Sequence, residues 1–188
     1  YAFFHPSMPN EPLIFVEVAL VNGLASQIQV LLDVKAPVLD PGEADTAIFY
    51  SISNTQPGLA GIKFGNFLIK QVVDRLRREQ PNLKQFSTLS PIPGFMGWLK
   101  QSLKENELDF KGAEQKKLKA VIGKIPTLGI LSEQLSSIKW AKDEPLAEAL
   151  QTVLKRFAAI YLLKAKGRDS AHALDPVAHF HLSNGASI

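Results

Sequence analysis

The sequence predicts an α/β or α+β fold, and three features carry that expectation. Two runs rich in β-branched and aromatic residues, LIFVEVALV at 13–21 and TAIFYSIS at 46–53, read as buried strands. A glycine-bearing turn follows the second run and leads into a stretch with apolar residues at helical spacing. From Gly97 to about Lys166 the pattern is helical throughout. Strand, strand, helix, strand and then helices is not the order of a bundle.

Each element has a local reason. Pro12 and Asn22-Gly23 bound the first strand, and the chain opens on a shorter strand-like run. Residues 26–35 fit either a short helix or another strand. Pro, Gly and Asp make 36–45 a loop. In NTQPGLAGIKFGNFLIKQVVDRLRREQP, residues Ile62, Leu68, Ile69, Val72 and Leu76 mark one helix face, and Pro81 ends the helix. QFSTLSPI at 85–92 is the third strand candidate. Leu146, Leu150, Val153, Leu154, Phe157 and Tyr161 form an amphipathic helix after Pro145. The tail HALDPVAHFHLSNGASI reads as short and irregular, with Asn184-Gly185 as a tight turn.

With 188 residues and 46% apolar content, the chain can bury one sizeable core. A net charge of +3, with lysines and arginines scattered, lacks the clustered stripe of a nucleic-acid binder. The one dense patch, Lys116, Lys117 and Lys119, reads as a solvated helix face. The absence of cysteine removes disulfides, thiolate metal sites and a cysteine nucleophile, and leans toward a reducing compartment. No apolar run reaches the roughly 18 residues of a spanning helix, so no membrane partner is expected. The lack of an initiator methionine and the abrupt ends predict a piece of a longer protein.

Three places could carry chemistry. The strand, glycine loop and helix start at 48–73 offer unpaired N–H groups and the positive end of a helix dipole to an anion, with Gly58, Gly61 and Gly65 allowing close approach. The loop is neither a Walker motif nor a clean G-x-G-x-x-G. Ser90 lies outside G-x-S-x-G, so a strained nucleophile elbow is not expected, and a serine shaping a turn before proline is the plain alternative. His172, His179 and His181 cluster near the end. On an extended segment His179 and His181 would point the same way. Neither they nor the distant His5 are joined by further ligands at zinc-like spacing, so no metal site is expected.

The stretches FYSISNTQPGLAGIKFGNFLIKQVV, FSTLSPIPGFMGWL and ALDPVAHFHLSNGA, in this order and with helices between the last two, resemble the malonyl-CoA decarboxylase family. HPSMPNEPLIFVEVAL and LAEALQTVLKRFAAIYLLK extend the resemblance over nearly the whole chain. It implies a GNAT-like mixed sheet flanked by helices, with central strands that splay to admit CoA. Residues 1–188 would then be part of a single catalytic domain with a helical insertion at about 97–166. The family's N-terminal helical domain and the C-terminal end of the catalytic domain would be absent.

The resemblance also implies an activity, the decarboxylation of malonyl-CoA to acetyl-CoA and CO2, which controls malonyl-CoA levels in fatty acid metabolism. The family's malonyl-CoA contact run falls on Ala60, Gly61, Ile62, Lys63, Phe64, Gly65 and Asn66. Its catalytic serine, the proton acceptor, matches Ser90, and its catalytic histidine, the proton donor, matches His181. His179 and Ser183 are taken as tolerated variation. No cofactor is implied, since CoA belongs to the substrate. A homo-oligomer, a tetramer by resemblance, and a cytoplasmic location are expected, with mitochondrion or peroxisome as eukaryotic alternatives. The rival readings are a GNAT-type N-acyltransferase using an acyl-CoA, a CoA-binding module without turnover, and a hydrolase with Ser90 as nucleophile.

Overall fold

Two apolar runs pair as long antiparallel strands in the computed structural model, which describes residues 1–59, 62, 64–167 and 172–188. Strands β1 (Ala2–His5), β2 (Met8–Val21), β3 (Thr46–Asn54) and β4 (Gln85–Thr88) form a sheet in the order β1-β2-β3-β4. The first two pairings are antiparallel, and β3 runs parallel to β4. The described residues divide into two compact units, Tyr1–Pro91 and Ile92–Ile188.

In the first unit β2 starts at Met8, so Pro12 lies inside the strand instead of bounding it. Register slips on either side of Phe4, the partner of Pro12, make the ladder irregular there, and a residue without an N–H is tolerated at such a place. Residues 26–35 resolve as a short helix, α1 (Ile28–Leu31). Thr46, Ala47, Ile48 and Phe49 of β3 are all buried, as expected of a central strand.

Helix α2 (Phe64–Glu79) lays Leu68, Val72 and Leu76 onto Ile14, Val16, Ala47 and Phe49. Burying each such side chain stabilises the unit by about 1.5–3 kcal/mol. Ile62, expected on this face, lies before the helix and is exposed. The third strand ends earlier than 92. After Leu89 donates its N–H to Phe49 O at 2.9 Å, Pro91 and Pro93 can donate nothing further to a ladder.

The second unit is helical: α3 (Phe95–Lys104), α4 (Gly112–Ile122), α5 (Leu128–Gln134), α6 (Glu144–Lys164) and α7 (Pro176–Ser183). Its core gathers Leu99, Leu103, Leu118, Leu131, Leu150, Val153, Phe157 and Tyr161. Helix α6 starts as Pro145 predicts, with Asp143 accepting from the Leu146 N–H at 3.1 Å. Lys116, Lys117 and Lys119 are exposed on α4, a solvated face. Buried Glu114 of the same helix takes a two-pronged contact from Arg156, Nε to Oε1 and Nη2 to Oε2, each at 2.7 Å.

The tail departs most from expectation. ALDPVAHFHLSNGA is not irregular, because Asp175-Pro176 caps and starts helix α7. Gly185, at φ +88°, follows its end in the left-handed conformation that glycine adopts without penalty.

Candidate active site

Parallel strands place the groups that follow them at one edge of a sheet. β3 leads through a loop into the start of α2, and β4 leads through Leu89 into Ser90, so both follow the carboxyl ends of neighbouring parallel strands. In open α/β sheets that is the end where ligands bind. β3 also runs on from Tyr50 to Asn54 past its last pair with β4. On the other side of β3, Glu17 pairs with Ser51 and Val18 with Phe49, which leaves Tyr50 as an extra residue. A bulge of this kind bends its strand and increases local twist, and it falls where β4 stops pairing.

The loop after β3 is stapled to β2. Thr55 donates its N–H to Leu13 O at 3.0 Å and its hydroxyl to Pro12 O. Asn54 Nδ2 reaches Leu59 O at 3.4 Å, and the Ile62 N–H reaches Leu59 O at 3.0 Å. Of the expected contact run, Ala60, Gly61 and Lys63 lie outside the described residues. Ile62 is exposed, and Phe64, Gly65 and Asn66 form the first turn of α2, half-buried. That turn contains no acidic residue, so no carboxylate within it competes for the positive end of the helix. Ser90 is exposed, and Pro91 restricts it to extended backbone.

His181 sits in the last turn of α7, half-buried, with its ring edge-on to Phe180 at 5.1 Å between centroids. Burial pulls its pKa below the ordinary histidine value. The SNG segment closes the helix behind it. Asn184 donates its N–H to His181 O at 3.0 Å and its side-chain amide to Phe180 O at 2.6 Å.

Because α7 is a helix, His179 and His181 do not point the same way. At about 100° per residue they are on nearly opposite faces. His179 packs its ring on His172, 4.7 Å between centroids. His5 ends β1, paired with Met8 across the β1–β2 turn, and its Nδ1 accepts from the Ser7 N–H at 3.1 Å. Among the described residues no group of three His, Asp or Glu side chains is arranged to hold a metal ion.

Sequence reasoning passed over Asp175. It is fully buried, and its Oδ1 accepts from the N–H groups of Val177 and Ala178, each at 3.0 Å. Its Oδ2 accepts from the Tyr161 hydroxyl at 3.2 Å and from the Gly94 N–H at 3.4 Å. Burial, reinforced by the Asp175 carboxylate, pushes the Tyr161 phenol up to about 12. The signal for this cap was present in Asp-Pro ahead of an apolar run.

Known proteins match the whole chain. The model of the malonyl-CoA decarboxylase C-terminal domain family covers residues 1–188. Mitochondrial malonyl-CoA decarboxylase of Rattus norvegicus is 45% identical over 196 residues, spanning 99% of this chain and 39% of the relative. That of Anser anser anser is 42% identical over 197 residues, spanning 100% and 38%. The crystal structure of malonyl-CoA decarboxylase from Rhodopseudomonas palustris superimposes with a TM-score of 0.77 at 45% identity, over 100% of this chain and 40% of that one. That from Agrobacterium vitis gives 0.80 at 41%, over 98% and 42%. This chain thus spans about two fifths of the length of the relatives it matches, and it belongs to the malonyl-CoA decarboxylase family, with its similarity to the C-terminal domain running from first residue to last.

Proposed function

We propose that this chain supplies the substrate-binding and proton-transfer groups of a malonyl-CoA decarboxylase, converting malonyl-CoA to acetyl-CoA and CO2. The observation that carries this reading is the pairing of a carboxylate-free α2 start with Ser90 at the ends of adjacent parallel strands, in a chain of this family. The run Ala60, Gly61, Ile62, Lys63, Phe64, Gly65 and Asn66 takes the CoA phosphates through main-chain N–H groups. Both units then belong to one catalytic domain, with the helices of 97–166 an insertion in it.

The chemistry defines the remaining roles. As the C–C bond to the carboxylate breaks, its electron pair flows into the thioester carbonyl and forms an enolate. The carbonyl is the electron sink, so the reaction requires no cofactor. The site must stabilise the developing oxyanion with preorganised donors and replace water around the departing carboxylate. A proton must then reach the α-carbon, a general-acid task for His181. No covalent intermediate forms. Ser90 holds and polarises the substrate as a hydrogen-bonding group, both donor and acceptor.

The test is steady-state turnover of malonyl-CoA by the full-length enzyme carrying Ser90→Ala or His181→Asn. Each should lower kcat by about 10²–10⁴-fold, the range for loss of a positioned acid–base group. Near wild-type turnover in both would refute the assignment. Self-association to a tetramer is part of the proposal, and light scattering measures it. A reducing compartment suits a chain with no cysteine, so the cytoplasm is the proposed location. The mitochondrion, named for the rat and goose relatives, is the alternative.

A further inference from the structure

A plain helix cap needs one oxygen at the surface, and Ser, Asn or Asp supplies it about equally well, with Thr somewhat behind. Asp175 is different in two respects. It is fully buried, where a charged carboxylate is costly unless its oxygens are satisfied. And only Oδ1 serves the cap: Oδ2 turns to Tyr161 and Gly94. Tyr161 comes from α6, and its ring lies among Phe95 at 5.9 Å and Trp98 at 5.2 Å. Gly94 is the residue before α3 and closes the SPIPG segment that begins at Ser90. Its φ of −82° is open to any residue, but a Cβ built there would overlap the Tyr161 hydroxyl. Glycine is therefore required by close approach and not by backbone angle.

Helix α7 needs such an anchor. Ala178 is its one buried residue, so apolar packing does little to fix its rotation. The segment before it is tied by the Leu174 N–H to Ala165 O, at 3.0 Å, and by the bridge between Lys166 and Ala173. Those bonds hold the approach to the helix, whereas Asp175 holds the helix start itself.

We propose that Asp175 is a positioning residue for His181. A single buried carboxylate fixes the first turn of the helix that carries the histidine to α6 and to the Pro-Gly turn following Ser90. This inference rests on the reading of His181 as the proton donor. Asp175 does not touch substrate. It acts by holding the imidazole in one place, and displacement of a catalytic group by about 1 Å can cost about 10²-fold in rate.

The experiment compares Asp175→Asn, Tyr161→Phe and His181→Asn in the full-length enzyme, by kcat and KM for malonyl-CoA, melting temperature and the pH profile of kcat. Asp175→Asn keeps an oxygen for the helix cap but turns an amide N–H2 toward the Gly94 N–H. Expected is a loss of about 10–100-fold in kcat with KM within about 2-fold, the signature of a displaced catalytic group. A proton donor works in its protonated form, so kcat falls as pH rises through its pKa. Burial holds that pKa low, so a loosened, more hydrated ring should move this alkaline limb to higher pH.

Wild-type kcat with an unmoved limb, or a raised KM with unchanged kcat, overturns the inference. Should Asp175→Asn fail to fold, Tyr161→Phe decides. It keeps every backbone bond and removes one donor, and kcat should fall about 3–10-fold, the worth of one hydrogen bond, where an unchanged kcat overturns the inference. Full activity in His181→Asn sinks both this inference and the reading beneath it, whereas a dead His181→Asn beside a fully active Asp175→Asn sinks the positioning role alone.

Discussion

Helices α2 and α7 start in opposite ways. The first turn of α2 contains no acidic residue. The start of α7 is filled by a buried carboxylate that takes two of its N–H groups. Helices α4 and α6 resemble α7: Glu114 accepts from the Lys111 N–H at 2.9 Å, and Asp143 accepts from Leu146. A helix end that holds its own carboxylate has spent its attraction for anions on structure. One that lacks it keeps that attraction for a ligand. The contrast separates a helix start suited to fixing a side chain from one suited to receiving phosphates.

The most damaging change should be Asp175→Ala. It removes the cap and strands the Gly94 N–H and the Tyr161 hydroxyl, so unfolding free energy should fall by about 3 kcal/mol. Urea titration measures this, and Asn66→Ala in the first turn of α2 should cost less than about 0.5 kcal/mol in the same assay. Equal losses would erase the distinction between the two starts.

Gly94→Ala should come next, at about 1–3 kcal/mol for the overpacked Tyr161 hydroxyl. Adding Tyr161→Phe to that variant should recover part of the loss, since the atom in the way is gone. A purely additive double mutant would mean that Gly94 and Tyr161 are not coupled.

At α2 the sharpening substitution is Asn66→Asp. A carboxylate there should raise KM for malonyl-CoA about 10-fold, equivalent to about 1.4 kcal/mol of lost binding. It should leave stability unchanged or raise it by about 0.3–1 kcal/mol through the helix dipole. An unmoved KM would argue that no phosphate lies near this turn.

The mildest test is acid. The hydrogen bond from Arg156 holds the Glu114 carboxyl below the usual range for a glutamate. A depressed folded pKa gives stability that is present above the unfolded value and lost as pH falls through the folded one. The stability difference between wild type and Glu114→Gln should therefore be constant near neutrality and shrink below about pH 4.5. A gap that persists at pH 3 would assign the effect to packing.

Long, strongly patterned elements were legible in the sequence, and short ones were not. Leu146 to Tyr161 repeats at helical spacing over several turns, and LIFVEVALV has no polar interruption except Glu17. In the tail, apolar residues and histidines alternate too briefly for a period to emerge, and the decisive signal was the Asp-Pro pair. Pro12 misled because a register slip, which sequence does not display, admits it into a strand. Ser90 and His181 stand out only through the motifs around them. Locally, a serine before proline and a histidine between Phe180 and Leu182 are ordinary. Asp175 was hidden for a different reason: its second oxygen serves residues remote in sequence.

The extra residue at Tyr50 has a genetic consequence. Side chains along a strand alternate between two faces, and an added residue inverts the parity of everything beyond it. Removing one residue here would restore a regular ladder and leave Thr46–Phe49 and Ser51–Asn54 opposite their present partners, each on its present face. A deletion away from the bulge would instead set part of β3 one residue out of step with β2 and turn that part inside out. The length of β3 therefore has slack at Tyr50 that its other positions lack.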